Sequence, residues 1–205
     1  MDRKSALVAA ALALVAGAAA AQSITFTPAN QVVFTQLFNP DGGVFAAGSF
    51  TAGSEGVFRA GSSGSFTLTY LGQESAFSDG VRISVVAGGG QLSEASHIGD
   101  RVTGSMTAGA ALDFTFFASD GNSSVTNGVM PPDMNPSFAL LGTNVVTNAG
   151  TFQYVVGFND SMNHDDWDDF VIGINVAPVP EPQTYALLLA GLGVIGFVAR
   201  RRQAR

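Results

Sequence analysis

"SFTLTY", residues 65 to 70, alternates hydroxyl-bearing and apolar side chains. In an extended chain this puts Phe66, Leu68 and Tyr70 on one face and Ser65, Thr67 and Thr69 on the other, the period of a half-buried strand. Working outward, similar runs of β-branched and aromatic residues recur: "SITFTP" (23–28), "QVVFTQLF" (31–38), "GVRISVVAG" (80–88), "ALDFTFFAS" (111–119), "SFALLG" (137–142), "TFQYVVGF" (151–158) and "DDFVIGINV" (168–176). Gly, Asn, Asp and Pro punctuate them. With no helical pattern between the two ends of the chain, the spacing predicts an all-β fold, an antiparallel β-sandwich or jelly roll. The stretches "FNPDGGVFAAGSFTAGSEG" (38–56), "RAGSSGS" (59–65) and "VAGGGQLSEAS" (86–96) read as hairpin ends or mobile surface loops, and "SDGNSSVTNGVMPPDMNP" (119–136) as a cap on one end.

The ends differ in kind from this body. Arg3 and Lys4 precede an apolar stretch from Ala6 to about Ala16, followed by small residues through Ala21. That is the layout of a secretory signal helix, removed by a signal peptidase between Ala21 and Gln22. At the other end, an uncharged run from Tyr185 to Ala199 is followed by Arg200, Arg201 and Arg202. As a helix it would cover about 22 Å of the roughly 30 Å hydrocarbon core, a short transmembrane helix suited to temporary residence in the inner membrane. The arginines form a membrane stop and hold the tail in the cytoplasm. Pro178, Pro180 and Pro182 keep the preceding backbone extended, the form in which proteases bind substrates. The expected organisation is a signal peptide (1–21), a β-sandwich domain (22–177) and a C-terminal segment (178–205).

Charge and composition exclude several functions. Between residues 22 and 180 only Arg59, Arg82 and Arg101 stand against fourteen acids, a net charge of −11. Such a surface repels phosphate backbones, so nucleic acid is not an expected partner. The chain has no cysteine, which removes disulfides, thiolate metal sites and a Cys nucleophile. Gly88 to Gly90 lacks the Lys-Ser/Thr pair of a phosphate loop. Thr25/Thr27 and Thr67/Thr69 resemble one rung of an ice-binding face, but the pattern is not stacked in successive strands. His97 and His164 are the two histidines, and no nucleophile elbow accompanies them; the chain is not expected to be an enzyme.

The densest chemistry lies in "YVVGFNDSMNHDDWDDFVIGINV", residues 154 to 176. Asp160, Asp165, Asp166, Asp168 and Asp169 would repel one another in a tight hairpin unless a divalent cation neutralised them. Oxygen donors suit calcium. The candidate ligands are Asp160, Asp166 and Asp168 or Asp169, with Asn159 or a backbone carbonyl completing the shell. Strict alternation would set Asp166, Asp168 and Phe170 on one face and Trp167, Asp169 and Val171 on the other. The loop lacks the central Gly and closing Glu of an EF-hand.

Two resemblances follow from these residues. Gly157, Phe158, Asp160, Asp166, Trp167, Asp168 and Asp169 resemble the acidic hairpin of extracellular β-sandwich domains of the DUF4114 type, in which Asn159 replaces the usual acid and His164 a common Asp. "VPEPQTYALLLAGLGVIGFVARRR", with Pro180, Glu181 and Pro182, a short helix and a basic end, resembles the PEP-CTERM sorting signal of Gram-negative bacteria, also labelled an ice-binding protein C-terminal domain. That resemblance implies handling by an exosortase, a membrane transpeptidase that cuts near Pro-Glu-Pro and sends the body to the cell surface or an exopolysaccharide matrix. The expectation is an exported, non-catalytic surface or matrix protein with a calcium-stabilised hairpin. The alternative is a carbohydrate-binding module for the bacterium's own exopolysaccharide, using exposed loops near Tyr70 or Trp167.

Overall fold

In the computed structural model, Phe66 and Leu68 do turn to one side of a strand and Ser65 and Thr67 to the other, and the fold grows around that strand. The structure describes residues 23–75, 78–84, 90–118, 124–129, 136–160, 167–176, 189–193 and 200. Among them run eleven strands: β1 (Ile24–Val33), β2 (Ala52–Ala60), β3 (Gly64–Gly72), β4 (Gly80–Arg82), β5 (Gln91–Ser93), β6 (Arg101–Met106), β7 (Thr115–Phe117), β8 (Ser124–Thr126), β9 (Ser137–Thr147), β10 (Gly150–Asn159) and β11 (Phe170–Val176). They form two antiparallel sheets, one of seven strands in the order β1-β2-β9-β10-β11-β3-β6 and one of four in the order β5-β4-β7-β8. Residues Gln22–Ala177 make one compact unit.

The sheets share an aromatic core. Phe58, Phe66, Leu68, Phe158, Phe170 and Ile172 from the large sheet meet Val81, Phe116 and Val125 from the small one. Phe116 stacks on Phe158 with ring centroids 5.1 Å apart, and Tyr70 stacks on Phe170 at 4.9 Å. Such pairs add to the area they remove from water.

A second apolar cluster covers the opposite face of the large sheet. Leu71, Ala139, Leu141, Phe152, Val155 and Val171 lie under Phe38 and Val44, with Phe34, Phe45 and Phe50 packed around them. The connection between β1 and β2, read from its Gly and Ser content as a surface loop, is therefore a third layer over the middle of the sheet. Phe38 is completely buried, edge-on to Phe50 at 5.1 Å. With both faces covered, β11 is buried at every position from Phe170 to Ile174, and alternation fails as a guide there. The same cover explains why Thr69 is buried while Ser65 and Thr67 are only half-buried.

Other expectations also change. "SITFTP" and the start of "QVVFTQLF" are one strand, β1, with a bulge between Pro28 and Asn30; an edge strand tolerates the proline. Residues 52–60, read mostly as loop, are β2, held between β1 and β9. Its small residues are required by crowding, since a side chain at Gly53 would meet the Leu140 carbonyl oxygen at 3.0 Å. The polar strands β5, β6 and β8 had no apolar run to announce them. At the C-terminal end, residues 189–193 and 200 are helical and exposed. No helix among the described residues is long and apolar enough to cross a membrane. The signal helix and most of the expected transmembrane run lie outside the described residues.

Candidate metal centre

The β10–β11 hairpin owes its close approach to Gly157. A side chain there would stand 1.9 Å from the Trp167 carbonyl oxygen, so only a glycine lets the chain fold back at this point. Trp167 itself is left-handed, at φ 47°, a strained conformation for a bulky residue that its surroundings must hold. Its indole Nε1 donates to Ser137 Oγ at 3.0 Å, and its ring stacks on Phe34 at 5.2 Å. This residue ends the alternation expected for 166–171. Trp167 and Val171 do share the outer cluster, but Asp168 and Asp169 leave the strand pattern and find separate partners.

Asp169 Oδ2 accepts the Asp160 backbone N–H at 2.8 Å, and Asp160 Oδ2 accepts the Ser75 hydroxyl, also at 2.8 Å. A third carboxylate joins them from the connection between β3 and β4. Oxygens of Asp79, Asp160 and Asp169 lie within 4.8 Å of one another, and all three residues are buried. Asp79 is 0 % exposed, and among the described residues neither of its oxygens has a hydrogen-bond partner of good geometry. Burial first, then the charges of Asp160 and Asp169, push the Asp79 carboxyl up to about 9 from an ordinary value near 3.8. Buried carboxylates at this spacing need either a shared proton or a cation.

The remaining predicted ligands separate. Asp168 is fully buried and accepts the Asn39 backbone N–H at 2.5 Å, tying the hairpin to the outer layer. Asn159 is buried at the end of β10, opposite Ser137. Asp166 lies outside the described residues. The sequence reading missed Asp79, which sits in "SDG", a common turn signal, on a connection distant in sequence from the hairpin. Tyr70 and Trp167, expected near exposed glycan-binding loops, are each 5 % exposed and stacked on phenylalanines. They offer no open aromatic platform.

Of the sorting residues, Arg200 is helical and exposed. Pro180, Glu181, Pro182, Arg201 and Arg202 lie outside the described residues, as do Ala21 and Gln22. No curated protein and no solved structure matches the chain. A family model does: residues 178–202 match the PEP-CTERM protein-sorting motif, and the chain therefore carries a C-terminal PEP-CTERM sorting segment.

Proposed function

We propose that this is an exported, non-catalytic protein of the cell surface or exopolysaccharide matrix, held briefly in the inner membrane and sorted by an exosortase through residues 178–202. The observation that carries the proposal is the sorting motif on those residues. The acidic body supports a matrix role, since a net charge of −11 between residues 22 and 180 favours cations and disfavours nucleic acid. Within the body, the β10–β11 hairpin takes up calcium. The juxtaposition of Asp160 and Asp169 at its mouth supports this reading, because hard carboxylate oxygens are the donors calcium prefers.

Mass spectrometry of the exported protein tests the sorting role. A C-terminus near Pro182 supports it, and a tail intact to Arg205 overturns it. Binding of the bacterium's own exopolysaccharide is the alternative role; with Tyr70 and Trp167 buried, it would have to use other surface groups. Pull-down on purified exopolysaccharide separates the two.

A further inference from the structure

The calcium reading rests on the hairpin alone, but the most deeply buried carboxyl of the cluster is elsewhere. Asp79 immediately precedes β4, a strand of the small sheet, whereas Asp160 and Asp169 stand between β10 and β11, two strands of the large sheet. A fully buried carboxylate without a hydrogen bond is costly to keep, because nothing replaces the water it has lost. Among the described residues both Asp79 oxygens are in that condition, while lying beside two further carboxylates. Local packing holds Asp79 in place: the next residue, Gly80, is so confined that a side chain would meet the Leu92 carbonyl oxygen at 2.5 Å. The residue is thus fixed by the fold at a point where its own electrostatics are unfavourable.

We propose that Asp79, Asp160 and Asp169 bind one divalent cation that fastens the β3–β4 connection to the β10–β11 hairpin, and so joins the two sheets. The inference builds on the calcium reading of the hairpin and adds to it a ligand from the other layer. Three carboxylates with no imidazole or thiolate favour a hard cation. Calcium suits the site better than magnesium, which holds several waters and demands a near-ideal octahedron. The cation supplies the compensation that no described residue gives Asp79 by a hydrogen bond. The Ser75 hydroxyl, bonded to Asp160, orients one of the three donors, in the way a metal's outer partners commonly do.

The test uses the full chain in a non-ionic detergent, titrated with calcium chloride in a calorimeter and melted with calcium or with EDTA. One calcium should bind per chain and raise the melting temperature. Asp79→Asn should weaken binding about tenfold or more, since losing a ligand costs at least as much as losing a partner that orients one, and remove the rise, yet melt close to the parent in EDTA, since the amide has nearly the shape of the carboxyl it replaces. Asp79→Asn with unchanged binding, while Asp160→Asn or Asp169→Asn loses it, would overturn the bridge and leave the hairpin reading standing. No calcium effect on the parent chain would remove both. Should Asp79→Asn fail to fold, hydrogen exchange of the parent decides. Calcium-dependent protection on both the 73–80 segment and the hairpin supports the bridge; protection confined to the hairpin refutes it.

Discussion

The side-chain amide of Asn127 hydrogen-bonds the backbone of Phe58 in both directions, giving Nδ2–H to the carbonyl at 2.8 Å and accepting the N–H at 2.9 Å. A further bond from Nδ2 reaches the Leu112 carbonyl at 2.9 Å. Asn127 follows β8 in the small sheet and Phe58 lies on β2 in the large one, so one side chain stands in for a strand between the layers. Asn127→Leu would take away the partner of the buried Phe58 N–H and one donor to the Leu112 carbonyl, while the Phe58 carbonyl keeps the Leu112 N–H at 3.0 Å. The expected loss is about 3 kcal/mol in urea unfolding of the full chain, in line with unsatisfied buried donors and acceptors. A loss below about 0.5 kcal/mol, typical of surface changes, would show that the amide is not the link.

The outer layer is tested by Phe38→Ala. Phe38 is fully buried among Phe34, Phe45, Phe50 and the large sheet, so its truncation should cost about 3–5 kcal/mol, as large-to-small changes in a core do. A mobile surface loop would lose almost nothing, and the same unfolding measurement distinguishes them.

Gly157→Ala addresses the hairpin. The added methyl collides with the Trp167 backbone, which cannot yield without moving the indole from Ser137. The expected cost is roughly 1–3 kcal/mol, accompanied by a red shift of the fluorescence of Trp167, the sole tryptophan. A parent-like emission spectrum with a parent-like melt would contradict the close approach.

Glu55 gives a pH dependence. It lies in β2, 3 % exposed, with Asn30 Nδ2 3.4 Å from its carboxylate. Burial raises its pKa above 4.5, partly opposed by hydrogen bonding with Ser137 and Asn30. The folded state therefore favours the neutral acid. That stability is fully present below the unfolded value of 4.5 and is lost as pH rises through the folded one. Glu55→Gln should be more stable than the parent at neutral pH and should flatten the slope just above pH 4.5, as read from melts across a pH series. Equal slopes in both proteins would rule the residue out.

How far the sequence could be read depended on what covers each strand. Phe66 and Leu68 announced β3 because one of its faces is apolar and the other is not, but from Thr69 onward the outer phenylalanine layer buries both faces and the alternation carries no signal. β2 was hidden because crowding demands Gly53 and the strand carries Ser54 and a buried Glu55, small or polar residues that ordinarily argue against a strand. At the candidate site, the density of aspartates pointed to Asp160 and Asp169. It could not separate Asp168, which a left-handed Trp167 sends toward Asn39. Asp79 was illegible because its place depends on a connection between sheets, and no local pattern encodes that.

The position of β11 carries a mechanical consequence. It lies between β10 and β3, away from either edge of the seven-stranded sheet, and the chain runs from its end directly into the sorting segment. Antiparallel hydrogen bonds stand perpendicular to the strands, so a pull along β11 loads two ladders in shear at once. The same pull on an edge strand such as β1 would bear on a single ladder. Whatever grips the C-terminal segment holds the body by a doubly supported strand, so force applied there meets the sheet at its interior and not at an edge.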